Sequence, residues 1–144
     1  MRFLGLDVGN VRIGVALSDE TATLASGLLT LERVGPRKDV KAVAHLVREH
    51  GVGEVVVGMP YRLDGTLGPQ GDKVTAFVEA LRRALPVPVA TWDERLTTVA
   101  ADELLAEAGV RRRDRKVRID RAAAALILQG YIDARRSRAG EQGP

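Results

Sequence analysis

Three acidic positions stand where the surrounding residues are apolar or unbulky, and each could do chemistry there. Asp7 interrupts Phe3-Leu4-Gly5-Leu6-Asp7-Val8, a run apolar on both faces, where strand propensity and desolvation both disfavour aspartate. Asp93 and Glu94 follow the apolar segment 87–92. Successive strand residues point to opposite sides, so only one of these two faces a given site, and spacing alone leaves the choice open. Asp120 lies near the start of a final helical segment and shares a face with Ala124, Ile127 and Tyr131. Plainer roles exist: Asp7 could cap a hairpin by accepting backbone N–H bonds, and the other acids suit helix N-termini. Brought together, however, the carboxylates would conflict, because desolvation and like charge both raise carboxyl pKa values. A hard divalent cation resolves that conflict. Oxygen-only ligands select Mg²⁺ or Mn²⁺, and two such ions about 3.5–4 Å apart can activate water and stabilise a leaving oxygen in phosphodiester cleavage.

Composition removes most competing chemistries. The 144-residue chain has no cysteine, which excludes disulfides, thiolate nucleophiles, zinc fingers and iron–sulfur clusters. Its two histidines, His45 and His50, argue against a histidine-rich metal centre. Gly71-Asp72-Lys73-Val74 lacks the Gly-Lys-Ser/Thr order of a phosphate loop. No segment approaches the roughly 18 apolar residues of a membrane span, and Asp7 comes too early for a signal-peptide core. A soluble, cytoplasmic protein is expected. The charge is uneven: residues 1–110 sum to −3 and residues 111–138 to +7. A nearly neutral body with one basic end fits a polyanion partner, although a solvated charge run reads the same way. Aromatics make up only 3% of the chain, too few for an extended base-stacking platform.

The elements that must position these acids follow from periodicity. Runs 2–8 and 12–18, joined by Gly9-Asn10-Val11, read as a hairpin, with a third strand at about 23–33. Val40, Val43, Ala44 and Val47 recur at helical spacing between Pro36 and Gly51. A buried strand at 54–58 precedes a glycine-containing loop, a helix from about Gln70 to Ala84, and a last strand at 87–92. Helices near 97–108 and 119–136, separated by a basic loop at 110–118, would complete the chain. The order implies a five-stranded mixed α/β sheet. Strand 2 must run antiparallel because its connection is too short for a crossover, and strands 4 and 5 parallel to strand 1.

Four ordered motifs carry a resemblance. Asp7-Val8-Gly9-Asn10-Val11-Arg12-Ile13-Gly14-Val15-Ala16 resembles the opening signature of the YqgF (RuvX-like) family. Gly58-Met59-Pro60 with Gly65-Thr66-Leu67-Gly68, Asp93-Glu94-Arg95-Leu96-Thr97-Thr98, and Ile119-Asp120 leading to Ile127-Leu128-Gln129-Gly130-Tyr131 extend it from Leu4 to Tyr131. Asn10 stands where the family commonly has Thr or Ser, and Val11 where it has Lys. The resemblance implies an RNase H-like fold with helices on both faces, one nuclease domain at 1–138 and a disordered tail at 139–144. It implies Asp7, Glu94 and Asp120 as the catalytic and metal-binding acids, favouring Glu94 over Asp93, with Mg²⁺ or Mn²⁺, two ions, as cofactor. Arg12, Arg95, Arg111, Arg112, Arg113 and Lys116 would contact phosphates. The expected function is a nuclease maturing the 5′ end of pre-16S rRNA. The alternatives are a Holliday-junction resolvase in DNA recombination and a non-catalytic nucleic-acid-binding factor. The partner would be structured RNA or branched DNA, without a membrane, and the protein a monomer or weak homodimer.

Overall fold

Runs rich in Leu, Val and Ile make strands of the first three segments. β1 (Arg2–Val8), β2 (Arg12–Ser18) and β3 (Ala25–Glu32) form an antiparallel meander, and Gly9 N–H donates to Arg12 O at 2.8 Å to close the first turn. The computed structural model describes residues 1–94 and 112–141, with the side chains of 112–119 and 138–141 outside the description. After the meander come α1 (Pro36–His50), β4 (Val52–Met59), α2 (Pro69–Ala84), β5 (Val89–Asp93) and α3 (Arg112–Glu141). The sheet order is β3-β2-β1-β4-β5, with β4 parallel to β1 and β5 parallel to β4, so β1 is central. Two successive crossovers in one direction, both right-handed by rule, put α1 and α2 on the same face.

The two faces are built differently. Leu4, Leu6, Val8, Ile13, Val15, Val55 and Val57 point toward α1 and α2, where Val43, Val47, Val74, Phe77, Val78 and Leu81 meet them. A fully buried side chain of this size contributes about 1.5–3 kcal/mol, so this face is the main source of stability. The opposite face is covered by α3. Phe3, Ala16 and Val56 pack against Ala124, Ile127, Leu128 and Ile132. Gly14 sets the approach: a Cβ there would overlap the Asp120 carbonyl oxygen, so only glycine lets the helix backbone lie on β2. Farther along, Tyr131 donates its hydroxyl to Glu54 at 2.6 Å and stacks edge-on with Phe3 and Trp92, fixing the helix's rotation.

One sequence expectation is corrected. The segment expected as a basic loop at 110–118 is helical from Arg112 onward, and the last helix extends through Glu141 rather than spanning 119–136. Arg, Lys and Ala are strong helix formers, and neither Gly nor Pro occurs between 112 and 129 to stop them. Asp120 therefore lies two turns inside α3. The helix expected at 97–108 falls outside the described residues.

Candidate active site

The alternation of β1 decides where Asp7 points. Leu4, Leu6 and Val8 face α1 and α2, so Phe3, Gly5 and Asp7 face α3. Asp7 pairs in register with Gly14, the residue on which the Asp120 backbone rests. At the other side of β1, the end of β5 lies beside the end of β4, with Asp93 opposite Met59 and Glu94 N–H donating to Met59 O at 3.2 Å. Trp92 packs on the α3 face, and Glu94, two residues later, points the same way. A Cβ on Gly58 would sit on Glu94 Oε2 and within 2.5 Å of Ile127 Cδ1. The missing side chain is thus the space the Glu94 carboxyl occupies.

Asp7 and Glu94 are hydrogen-bonded to each other through their side chains. Burial is the main cause that pushes Glu94 up to about 8, reinforced by the Asp7 charge, their hydrogen bond and Asp93. Burial also raises Asp7 to about 6, with the Asp120 charge adding to it and the hydrogen bond from Glu94 opposing it. Burial and mutual charge therefore both favour keeping one proton on the pair near neutrality. Glu94 Oε2 is buried and has no hydrogen-bond partner among the described residues, a costly arrangement that usually marks a missing ligand or a functional group. Asp120 Oδ2 accepts from Arg12 Nε at 2.9 Å, both side chains being about a quarter exposed. Among the described residues no three His, Cys, Asp or Glu side chains are drawn tightly around one point, and the third carboxylate, Asp120, is paired with Arg12.

The raised acidities of this pair fix a pH dependence. An acid whose folded pKa is raised stabilises the fold below its unfolded pKa, and that contribution is lost as pH rises through the folded value. In chelator, the melting temperature should fall steadily from about pH 4 to beyond pH 8, as Asp7 and then Glu94 ionise. Each tenfold change in proton affinity between the folded and unfolded chain is about 1.4 kcal/mol, so a drop of several degrees is expected, and Mg²⁺ or Mn²⁺ at pH 8 should reverse it. A melting temperature flat across that range, and indifferent to cation, would contradict the buried pair.

The structure therefore joins Asp7 to Glu94 and sets Asp120 with Arg12 beside them. Arg95 and Arg111 lie outside the described residues. Arg112, Arg113 and Lys116 belong to the first two turns of α3. Sequence reasoning assigned no role to Gly14 and Gly58, although each sits in a quoted motif and its strand neighbours are apolar. A cavity of about 460 Å³ bounded by Asn10, Arg33, Asp39, Lys73 and Phe77 lies on the other face, between α1 and α2, away from the carboxylates. No described helix is long and apolar enough to cross a membrane.

The chain is similar to several known proteins. A family model described as RuvX, Holliday junction resolvase, matches residues 1–134. A protein of Thermoanaerobacter pseudethanolicus, provisionally named pre-16S rRNA nuclease, is 48% identical over 139 residues, covering 96% of this chain and 100% of its own. A protein of Syntrophus aciditrophicus with the same provisional name is 52% identical over 134 residues, covering 93% and 89%. Among solved structures, Thermus thermophilus RuvC in complex with a Holliday junction substrate superposes with a TM-score of 0.60 at 18% identity, over 94% of this chain and 96% of that one. The fowlpox virus Holliday junction resolvase gives 0.56 at 13% identity, over 93% and 99%. The fold is RNase H-like, with the mixed sheet expected from the strand order.

Proposed function

Since the chain belongs to the RuvX family, we propose that it is a divalent-metal-dependent nuclease that hydrolyses phosphodiester bonds in maturing the 5′ end of pre-16S rRNA. The observation that carries this reading is the partly buried Asp7–Glu94 carboxyl pair, whose Oε2 has no partner among the described residues, set beside Asp120 at the carboxyl end of the central strand. The donors are all oxygen and hold one surplus proton that a cation could replace, which fits Mg²⁺ or Mn²⁺. Asp7, Glu94 and Asp120 would hold the metal, with two ions expected. When bound, such ions lower the pKa of water and neutralise charge on the cleaved phosphate.

The chain's own residues do the rest. Asp7, on the rigid central strand, orients the site. With a cation bound, Asp7 and Glu94 would both serve as carboxylate ligands, their shared proton passing to solvent. Arg12, Arg95, Arg111, Arg112, Arg113 and Lys116 would position the substrate backbone, arginine offering phosphate a planar, bidentate fork. The relatives' names support the RNA substrate and a cytoplasmic location. The family description favours a second reading, resolution of DNA junctions, which needs two sites at a fixed separation and hence a dimer. A single cleavage assay separates the readings. A precursor 16S rRNA leader and a four-way DNA junction are offered with Mg²⁺ or Mn²⁺, with Asp7→Asn as control. Cleavage of the leader alone supports the proposal, and cleavage of the junction alone replaces it with the second reading. If neither is cut, the protein binds without catalysis.

A further inference from the structure

The Arg12–Asp120 ion pair stands beside the proposed metal site and uses one of its carboxylates. Arg12 opens β2 on the α3 face, two residues before Gly14, so its side chain rises toward the helix that rests on Gly14. Its Nε reaches Asp120 Oδ2 at 2.9 Å, and Glu32 stands opposite it in register on β3. A guanidinium stays charged at any accessible pH, so Asp120 is released only when another anion replaces it on Arg12. The pair is about a quarter exposed on each side, open to such an exchange. A phosphodiester is the matching anion, since it takes the same donors. The Asp120 backbone is pinned over Gly14, so freeing the carboxylate needs only side-chain rotation.

We propose that Arg12 couples nucleic-acid binding to metal binding: it holds Asp120 in the free protein and hands it to the cation when a backbone phosphate takes the guanidinium. This rests on the carboxylate metal site proposed above. By linkage the coupling is reciprocal, so each ligand tightens the other by the same factor, of the order of tenfold. The metal site is then completed where substrate is present and left incomplete elsewhere.

Calorimetric titration of Mn²⁺, with and without a short phosphorothioate RNA duplex that resists cleavage, tests this in the intact protein. Wild type should bind Mn²⁺ about tenfold more tightly with the duplex. Arg12→Ala should bind Mn²⁺ about tenfold more tightly than wild type without the duplex and gain nothing further from it. Arg121→Ala removes a charge from the same helix without touching the pair, and should behave as wild type. Arg12→Gln substitutes if the alanine variant fails to melt cooperatively. Unchanged or weaker Mn²⁺ affinity in the Arg12 variant overturns the proposal, as does an equal gain in Arg121→Ala, which would show bulk charge rather than exchange. Asp7→Asn distinguishes the underlying reading: if it binds Mn²⁺ as wild type does, the carboxylate site itself is wrong, whatever Arg12 does.

Discussion

Asp7→Asn should lose cleavage by at least about a thousandfold, roughly 4 kcal/mol of transition-state stabilisation, while becoming more stable without metal. Both effects come from one charge. Asp7 is partly buried, bonded to Glu94 and exposed to the field of Asp120, and its pKa is raised to about 6. At pH 8 in chelator its negative charge opposes folding, and the neutral, isosteric amide removes that penalty. A gain on the order of 2 kcal/mol is expected, which moves the melting temperature up by several degrees for a chain of this size. The added Mg²⁺ that stabilises wild type should do little for the variant. Loss of activity accompanied by loss of stability would instead mark Asp7 as a structural hairpin cap. Thermal melts at pH 8, with chelator and with Mg²⁺, decide between the two.

The second large effect is expected from a residue with no side chain. Gly14→Ala should cost about 3 kcal/mol or more and weaken divalent-ion binding together with it. The added methyl would overlap the Asp120 carbonyl oxygen, which is backbone and cannot rotate aside. The helix must lift, loosening Ala124, Ile127 and Leu128 from Phe3, Ala16 and Val56 and carrying Asp120 away from Asp7. Chemical denaturation and Mn²⁺ titration of the same sample measure the two losses. A variant of wild-type stability would show that α3 does not rest on β2 in solution.

How far the sequence foretold this depends on the kind of signal. Asp7 was legible because a carboxylate in an apolar strand contradicts its neighbours locally. The helix at Pro36–His50 was legible from spacing and from its proline start. Glu94 could not be chosen over Asp93 by spacing, because the choice depends on the strand's phase, and Pro86 and Pro88 delay β5 until Val89. Trp92, packed under α3, supplies that phase only once the fold is known. The start of α3 was obscured because a run of arginines looks like a solvated loop when no helical burial pattern accompanies it. Gly14 and Gly58 were hidden for another reason: what they accommodate lies far away in sequence, and a single chain carries no local trace of it.

The pairing of Arg12 with Asp120 joins positions 108 residues apart. During synthesis the amino-terminal sheet and both of its covering helices can leave the translating ribosome well before the segment bearing Asp120 emerges. Until α3 docks, a nascent chain would carry Arg12 without Asp120, so the carboxylate set is completed only when that helix settles on the sheet.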